Sequence, residues 1–207
     1  MRICIEGLLG VGKSTLINDM MLLGYGGCFE SVVYGKGFRR QLGFLLERYR
    51  VWRDLPPSGV PVLYDRSIWS DKVFASVSYL FGELEMDEAR LYREVRAALL
   101  EGCVLPDLII WMEAPLYTSL ERLEKRGTND EMGNMSHLNM LRTCYQDMLQ
   151  DMEAEGVKII KMDASEDLNE KGRHKRAVML DKRIKALPPK VSPLIYRRGE
   201  RGTFQQL

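Results

Sequence analysis

The run IEGLLGVGKST, Ile5–Thr15, carries residue types suited to one chemistry, the holding of phosphate. Gly7, four further residues and then Gly12-Lys13-Ser14 satisfy the spacing of a P-loop. Glycines at Gly7, Gly10 and Gly12 let backbone N–H groups turn inward and approach phosphate oxygens closely, while Lys13 supplies a point charge. Ser14 can offer its hydroxyl to Mg²⁺, and Ser14 and Thr15 open a helix whose N-terminus favours negative charge. The pattern specifies a nucleoside triphosphate and leaves the acceptor open, because motors, switches, transporters and kinases all share it.

Further candidates stand elsewhere in the chain. In YDRSIWSDKVF, Asp65 and Arg66 follow an apolar run, where a carboxylate can hold magnesium and a guanidinium can clamp an acceptor or phosphoryl oxygen. A helix cap with a salt bridge is the plainer account of the same pair. In LYTSLERLEKRGTNDE, Arg122 and Arg126 are four apart and share a helix face with Lys125 close by, as a lid closing over a triphosphate requires. A solvated face balanced by Glu121 and Glu124 is the alternative. On FRRQLGFLLERYR, Phe38, Gln41 and Arg48 project the same way, and Ser67, Asp71 and Phe74 do likewise on the helix expected after Val60–Asp65. A Gln can hydrogen-bond a base bidentately, a ring can stack on it and an Arg–Asp pair can present fixed donors and acceptors, although such a pair also serves as a structural salt bridge.

These side chains need a scaffold. Strand signals lie at Arg2–Glu6, Val60–Asp65, Pro106–Met112 and Val157–Asp163; the last two are nearly continuous apolar runs, as in strands buried on both faces of a parallel sheet. Between the strands, periodicity predicts helices over Phe38–Arg53, Ser70–Phe81, Asp87–Glu101, Leu116–Arg126 and Ser136–Glu155. Alternation of this kind predicts an α/β fold with right-handed crossovers. At 207 residues and 45% hydrophobic content, one domain with one substantial core is expected.

The net charge of +1 hides an asymmetry, since residues 169–207 hold 11 Lys/Arg against 3 Asp/Glu. A solvated basic tail over 188–207, following a domain over 1–187, is the expectation, with nucleic-acid binding disfavoured. Cys4, Cys28, Cys103 and Cys144 are widely separated, without metal-ligand spacing, which suits buried thiols in a reducing compartment. No apolar run approaches eighteen residues and a strand begins within two residues of Met1, so neither membrane span nor signal peptide is expected and a cytoplasmic location is.

Taken together, the motifs resemble the deoxyribonucleoside kinases of the P-loop class over roughly residues 2–168. IEGLLGVGKST is similar to that family's opening, DRSIWSD to its [DE]RS element, PDLIIWMEAPLYTSLERLEKRGTNDE to its fourth strand and lid, and KIIKMDASEDL to its adenine-side loop. The resemblance implies a P-loop three-layer sandwich with a five-stranded parallel sheet and a helical lid. It also implies transfer of the ATP γ-phosphoryl to a deoxynucleoside 5′-hydroxyl, with Mg²⁺, in nucleotide salvage. Members are usually homodimers built on helices.

By the same resemblance Glu30 in CFESVVY is the general base, with Ser31 where the family usually has Pro. Arg66 orients it and meets the acceptor end, Asp65 and Ser14 attend magnesium, and Arg122 and Arg126 are the lid arginines, with Thr128 where many relatives carry another Arg. Gln41 binds the base, and the pair Arg48 and Asp71 favours deoxycytidine or purine deoxynucleosides while still admitting thymidine. Glu131 and Tyr34 reach the sugar 3′-hydroxyl, and Asp163 to Leu168 border the adenine of ATP. The nearest alternative is a nucleoside monophosphate kinase of the thymidylate type, which needs extra positive charge for the acceptor's phosphate. A GTPase-like switch is disfavoured because the chain has no Asn-Lys-x-Asp motif.

Overall fold

In the computed structural model, residues 1–54, 59–127, 134–188 and 193–196 are described. Five strands, β1 (Arg2–Gly7), β2 (Gly26–Cys28), β3 (Val62–Asp65), β4 (Leu108–Glu113) and β5 (Lys158–Asp163), form one sheet in the order β2-β3-β1-β4-β5. Every pairing is parallel, with Ile3 opposite Leu63 on one side and Leu108 on the other. The helices are α1 (Lys13–Met21), α2 (Gly37–Asp54), α3 (Asp71–Leu80), α4 (Met86–Leu100), α5 (Leu116–Lys125), α6 (Met135–Ala154) and α7 (Glu170–Lys185).

Side chains alternate across the sheet and divide the interior in two. Cys4, Tyr64, Ile109 and Trp111 face a core completed by Leu45 and Trp52 of α2, Val73 and Val77 of α3, Tyr92 of α4 and Leu138 to Met152 of α6. Ile3, Ile5, Leu63, Ile110 and Met162 face the opposite core, closed by Leu16, Ile17 and Met20 of α1 and Ala177, Leu180 and Ile184 of α7. This is the expected three-layer α/β sandwich around a five-stranded parallel sheet. The period of two in the strands and of three to four in the helices is what lets one sheet bury two faces.

Local signals fix the helix starts. Asn134 Oδ1 accepts from His137 N at 2.8 Å, Asn169 Oδ1 accepts from Gly172 N at 2.9 Å, and Glu85 with Glu88 forms a capping box at α4. α1 differs: Gly12 precedes it with φ 95°, and no side chain caps its free N–H groups.

Three differences from the sequence-based expectations have physical reasons. Ser67 lies in the turn before α3 rather than on the helix, its N–H donating to Glu6 Oε1 at 2.8 Å. α7 forms within the basic stretch, because Ala177, Leu180 and Ile184 give it a narrow apolar stripe among charged residues. The tail expected to be solvated from 188 onward is partly docked. Ile195 bridges Val104, Leu105 N donates to Leu194 O at 2.8 Å, and Tyr196 is buried, so the apolar triplet Leu194–Tyr196 returns to the body.

β1 is central, with the chain turning to β3 and β2 on one side and to β4 and β5 on the other. The crevice outside the C-terminal ends of β1 and β3 is therefore the strand-order switch point, where open α/β sheets bind ligands.

Candidate active site

The loop after β1 is shaped for close approach to a ligand. Gly10 has φ 75°, and a Cβ there would sit 2.6 Å from the backbone oxygen of Ser119, so only glycine fits. Lys13 arches back over the loop, donating to the carbonyls of Leu8 at 2.9 Å and Gly7 at 3.2 Å. Burial, reinforced by the Arg66 charge, lowers the Lys13 pKa to about 7. The uncapped N-terminus of α1 lies directly behind, Thr15 in its first turn.

At the mouth of the loop, Ser14 Oγ donates to Asp65 Oδ2 at 2.7 Å, while Asp65 Oδ1 is buried without a hydrogen-bond partner. These hard oxygens fit Mg²⁺, which takes one or two protein ligands and fills its remaining positions with water and phosphate oxygens. Among the described residues no cluster of three or more His, Cys, Asp or Glu offers an all-protein cage.

Beside the loop lies an ionic network drawn from four elements. Glu30, just past β2, accepts from Arg66 Nη1 at 2.7 Å through Oε2 and from Arg48 Nη2 of α2 through Oε1. Arg48 Nη1 pairs with Asp71 Oδ1 at the start of α3. Arg66 Nε donates to the Tyr145 hydroxyl of α6 at 3.3 Å, and its guanidinium carbon lies 4.8 Å from the centroid of the Phe74 ring. Burial pushes the Glu30 carboxyl up, but Arg66, Arg48 and Lys13 outweigh it and hold it below the ordinary carboxylate value. Asp71 Oδ2, Arg66 Nη2 and Arg48 Nε are buried without partners, so polar capacity remains for a ligand.

Arg66 is the one described non-glycine residue with positive φ, at 68°, and its N–H donates to Ile5 O at 3.0 Å. A left-handed arginine costs on the order of 1 kcal/mol and persists only where its surroundings impose it.

α2 and α3 run past one another with polar rungs at two levels. Arg48 meets Asp71 at one, and Gln41 Nε2 donates to Ser78 Oγ at 2.9 Å at the other. Seven residues separate the rungs on each helix, about 10 Å of rise, and Phe74 stands between them on α3.

The remaining candidates fall elsewhere. Arg122 ties α5 to the loop after β5, through Nε to Asp167 Oδ1 at 2.8 Å and Nη1 to Ala164 O at 2.8 Å. Arg126 is exposed at the end of α5, and Asp163 Oδ1 is engaged by Ser165 N at 2.9 Å and Ser165 Oγ at 2.6 Å. The Tyr34 ring is 86% exposed, with no hydrogen bond or ring contact to the Glu30 network among the described residues. Glu131 and Thr128 lie outside the described residues.

Four participants are absent from the sequence-based candidates: Glu6, Tyr145, Ser78 and Glu83. Glu6 alone left a visible mark, a carboxylate inside an apolar strand; it is fully buried, burial raises its pKa, and its Oε2 lacks a partner.

A family model for deoxynucleoside kinases matches residues 34–186. The chain belongs to the deoxynucleoside kinase family. This kinase is 26% identical over 189 residues to a deoxyadenosine/deoxycytidine kinase of Bacillus subtilis, covering 81% of this chain and 85% of the relative. A deoxyguanosine kinase of the same organism is 29% identical over 162 residues, covering 70% of this chain and 76% of that one. In fold, the kinase superposes on a deoxyadenosine kinase from M. mycoides, solved with dCMP and dCDP bound, with a TM-score of 0.73 at 19% identity, covering 90% of this chain and all of the other.

Proposed function

We propose that this kinase transfers the γ-phosphoryl of ATP to the 5′-hydroxyl of a deoxynucleoside carrying cytosine or a purine, in nucleotide salvage. The observation that carries the reading is the balance of charge at the acceptor end, where two guanidiniums, Arg48 and Arg66, are matched by two carboxylates, Glu30 and Asp71. A neutral nucleoside suits such a pocket. A nucleoside monophosphate would require uncompensated positive charge, which disfavours the thymidylate-kinase alternative.

Glu30 takes the proton of the 5′-hydroxyl as that oxygen attacks phosphorus, and Arg66 holds the carboxylate in place while its free Nη2 meets the acceptor oxygen. Lys13 leaves the Leu8 and Gly7 carbonyls for the phosphates, and the free N–H groups of α1 receive them. Ser14 and Asp65 would hold Mg²⁺, which neutralises charge on the β- and γ-phosphates when bound. Gln41, Phe74, Arg48 and Asp71 receive the base; Tyr34 and Glu131 attend the sugar. Arg122 and Arg126 serve the donor side with Asp163, and Arg122 acts there by fixing the loop over Ala164–Asp167.

We further propose a homodimer working in the cytoplasm, with the activity carried by residues 1–187. No described helix is long and apolar enough to cross a membrane. The test is a panel of deoxynucleosides and nucleoside monophosphates with radiolabelled ATP. Phosphorylation of deoxynucleosides is expected; phosphorylation of monophosphates alone would overturn the proposal.

A further inference from the structure

Relatives of near-equal identity are named for adenine and cytosine in one case and for guanine in the other, so the base must be read from the pocket itself. The Gln41 rung contains the relevant chemistry. Gln41 Nε2 donates to Ser78 Oγ at 2.9 Å, and Ser78 Oγ donates in turn to Glu83 Oε2 at 2.7 Å. Gln41 and Ser78 are buried, at 5% and 1% exposure. Glu83 is anchored in the turn after α3, its N–H donating to Ser78 O at 2.8 Å, and its own carbonyl packs where a Cβ on Gly37 would come within 2.7 Å.

An ionised carboxylate only accepts hydrogen bonds, and a serine hydroxyl has one proton. With that proton committed to Glu83, Ser78 Oγ can only accept from Gln41, so the NH₂ end of the amide is required to face Ser78. The carbonyl Oε1 and the second N–H are left for a ligand, and no described residue donates to that Oε1. Seven residues along α3, Asp71 Oδ2 is a second buried acceptor without a partner.

We infer that Ser78 and Glu83 are positioning residues that lock the Gln41 amide in one polarity. The lock selects bases with an amino group at purine C6 or pyrimidine C4 beside an unprotonated ring nitrogen, adenine and cytosine, against guanine and thymine, which carry a carbonyl in that place beside a ring N–H. The inference rests on the reading that Gln41 meets the base. A free glutamine reverses its amide to suit either pattern; here reversal sets Gln41 Oε1 against Ser78 Oγ and forces the serine proton away from Glu83. Cation steering by Arg48 or the shape of the sugar site would not distinguish the two pairs of bases in this way.

The experiment is steady-state kinetics of wild type, Ser78→Ala, Glu83→Gln and Gln41→Ala with deoxyadenosine, deoxycytidine, deoxyguanosine and thymidine, each at saturating ATP. Wild type is expected to favour deoxyadenosine and deoxycytidine in kcat/KM by about tenfold or more. In Ser78→Ala that preference should shrink to about threefold or less while KM for ATP stays unchanged, a pattern that general loosening of the fold does not produce. Glu83→Gln changes an exposed residue, can itself donate to Ser78, and should relax selectivity in the same direction. Retention of the wild-type ratio by both variants, while Gln41→Ala raises nucleoside KM, would overturn the lock and leave the base contact standing. Unchanged nucleoside KM in Gln41→Ala would overturn the contact and the lock together, as would a wild-type preference for guanine or thymine.

Discussion

Arg66 Nη1 donates to Glu30 Oε2 at 2.7 Å, joining two residues that leave adjacent strands, β3 and β2, at the same edge of the sheet. The contact holds the proposed base ionised, because burial alone would push the Glu30 carboxyl up and the guanidiniums overcome it. A carboxyl held below its ordinary value of 4.5 stays charged as pH falls through the usual carboxylate range. The acid limb of kcat/KM for the nucleoside is therefore expected below pH 4.5, read from a pH–rate profile on stable protein. A limb centred near pH 6 would contradict the arrangement. The linkage to stability has the same sign: the lowered carboxyl contributes above its unfolded pKa, and the contribution is lost as pH falls through the folded one.

Lys13 behaves oppositely. Burial and Arg66 lower its pKa to about 7, whereas a phosphate partner favours the ammonium. ATP binding at pH 8 should therefore take up a proton, visible in calorimetry as a binding enthalpy that changes with the ionisation enthalpy of the buffer. Identical enthalpies across buffers would contradict the described environment. In the free protein the lowered lysine costs stability that is regained as pH rises from about 7 toward the ordinary value of 10.5.

The Arg48–Asp71 pair ties α2 to α3, and Asp71 is 2% exposed. Removing Asp71 leaves Arg48 paired with Glu30, whereas removing Arg48 strands the buried Asp71 carboxylate, at about 3 kcal/mol. Arg48→Met should lower unfolding free energy by about that amount in urea titration, and Arg48→Met with Asp71→Leu together should cost less than the sum of the single changes. A cost for Arg48→Met under about 0.5 kcal/mol would mean that the pair has little structural weight.

The parts of the site legible in the sequence are those whose chemistry needs neighbours in the chain. Gly7 to Ser14 form one loop, and Asp65 and Arg66 must end one strand, so local spacing identifies them. Gln41, Arg48, Asp71 and Phe74 follow from helical periodicity once two helices are expected. Tyr145 and Ser78 stayed hidden because their roles arise from contacts across 79 and 37 residues of chain, and nothing local marks a hydroxyl that will meet a guanidinium or an amide. α7 escaped because charge dominates its sequence and only Ala177, Leu180 and Ile184 are buried. Tyr34 is exposed in a stretch without regular structure, where helical or strand periodicity gives no guide to position.

The most direct test of the acceptor-side assignment is Glu30→Gln, which keeps shape and removes the charge. Turnover with the preferred deoxynucleoside should fall by about 10²-fold or more, while the ATP dissociation constant, measured separately, stays within about twofold of wild type. Near wild-type turnover in this variant, with ATP still bound normally, would contradict the role of Glu30 in accepting the 5′-hydroxyl proton.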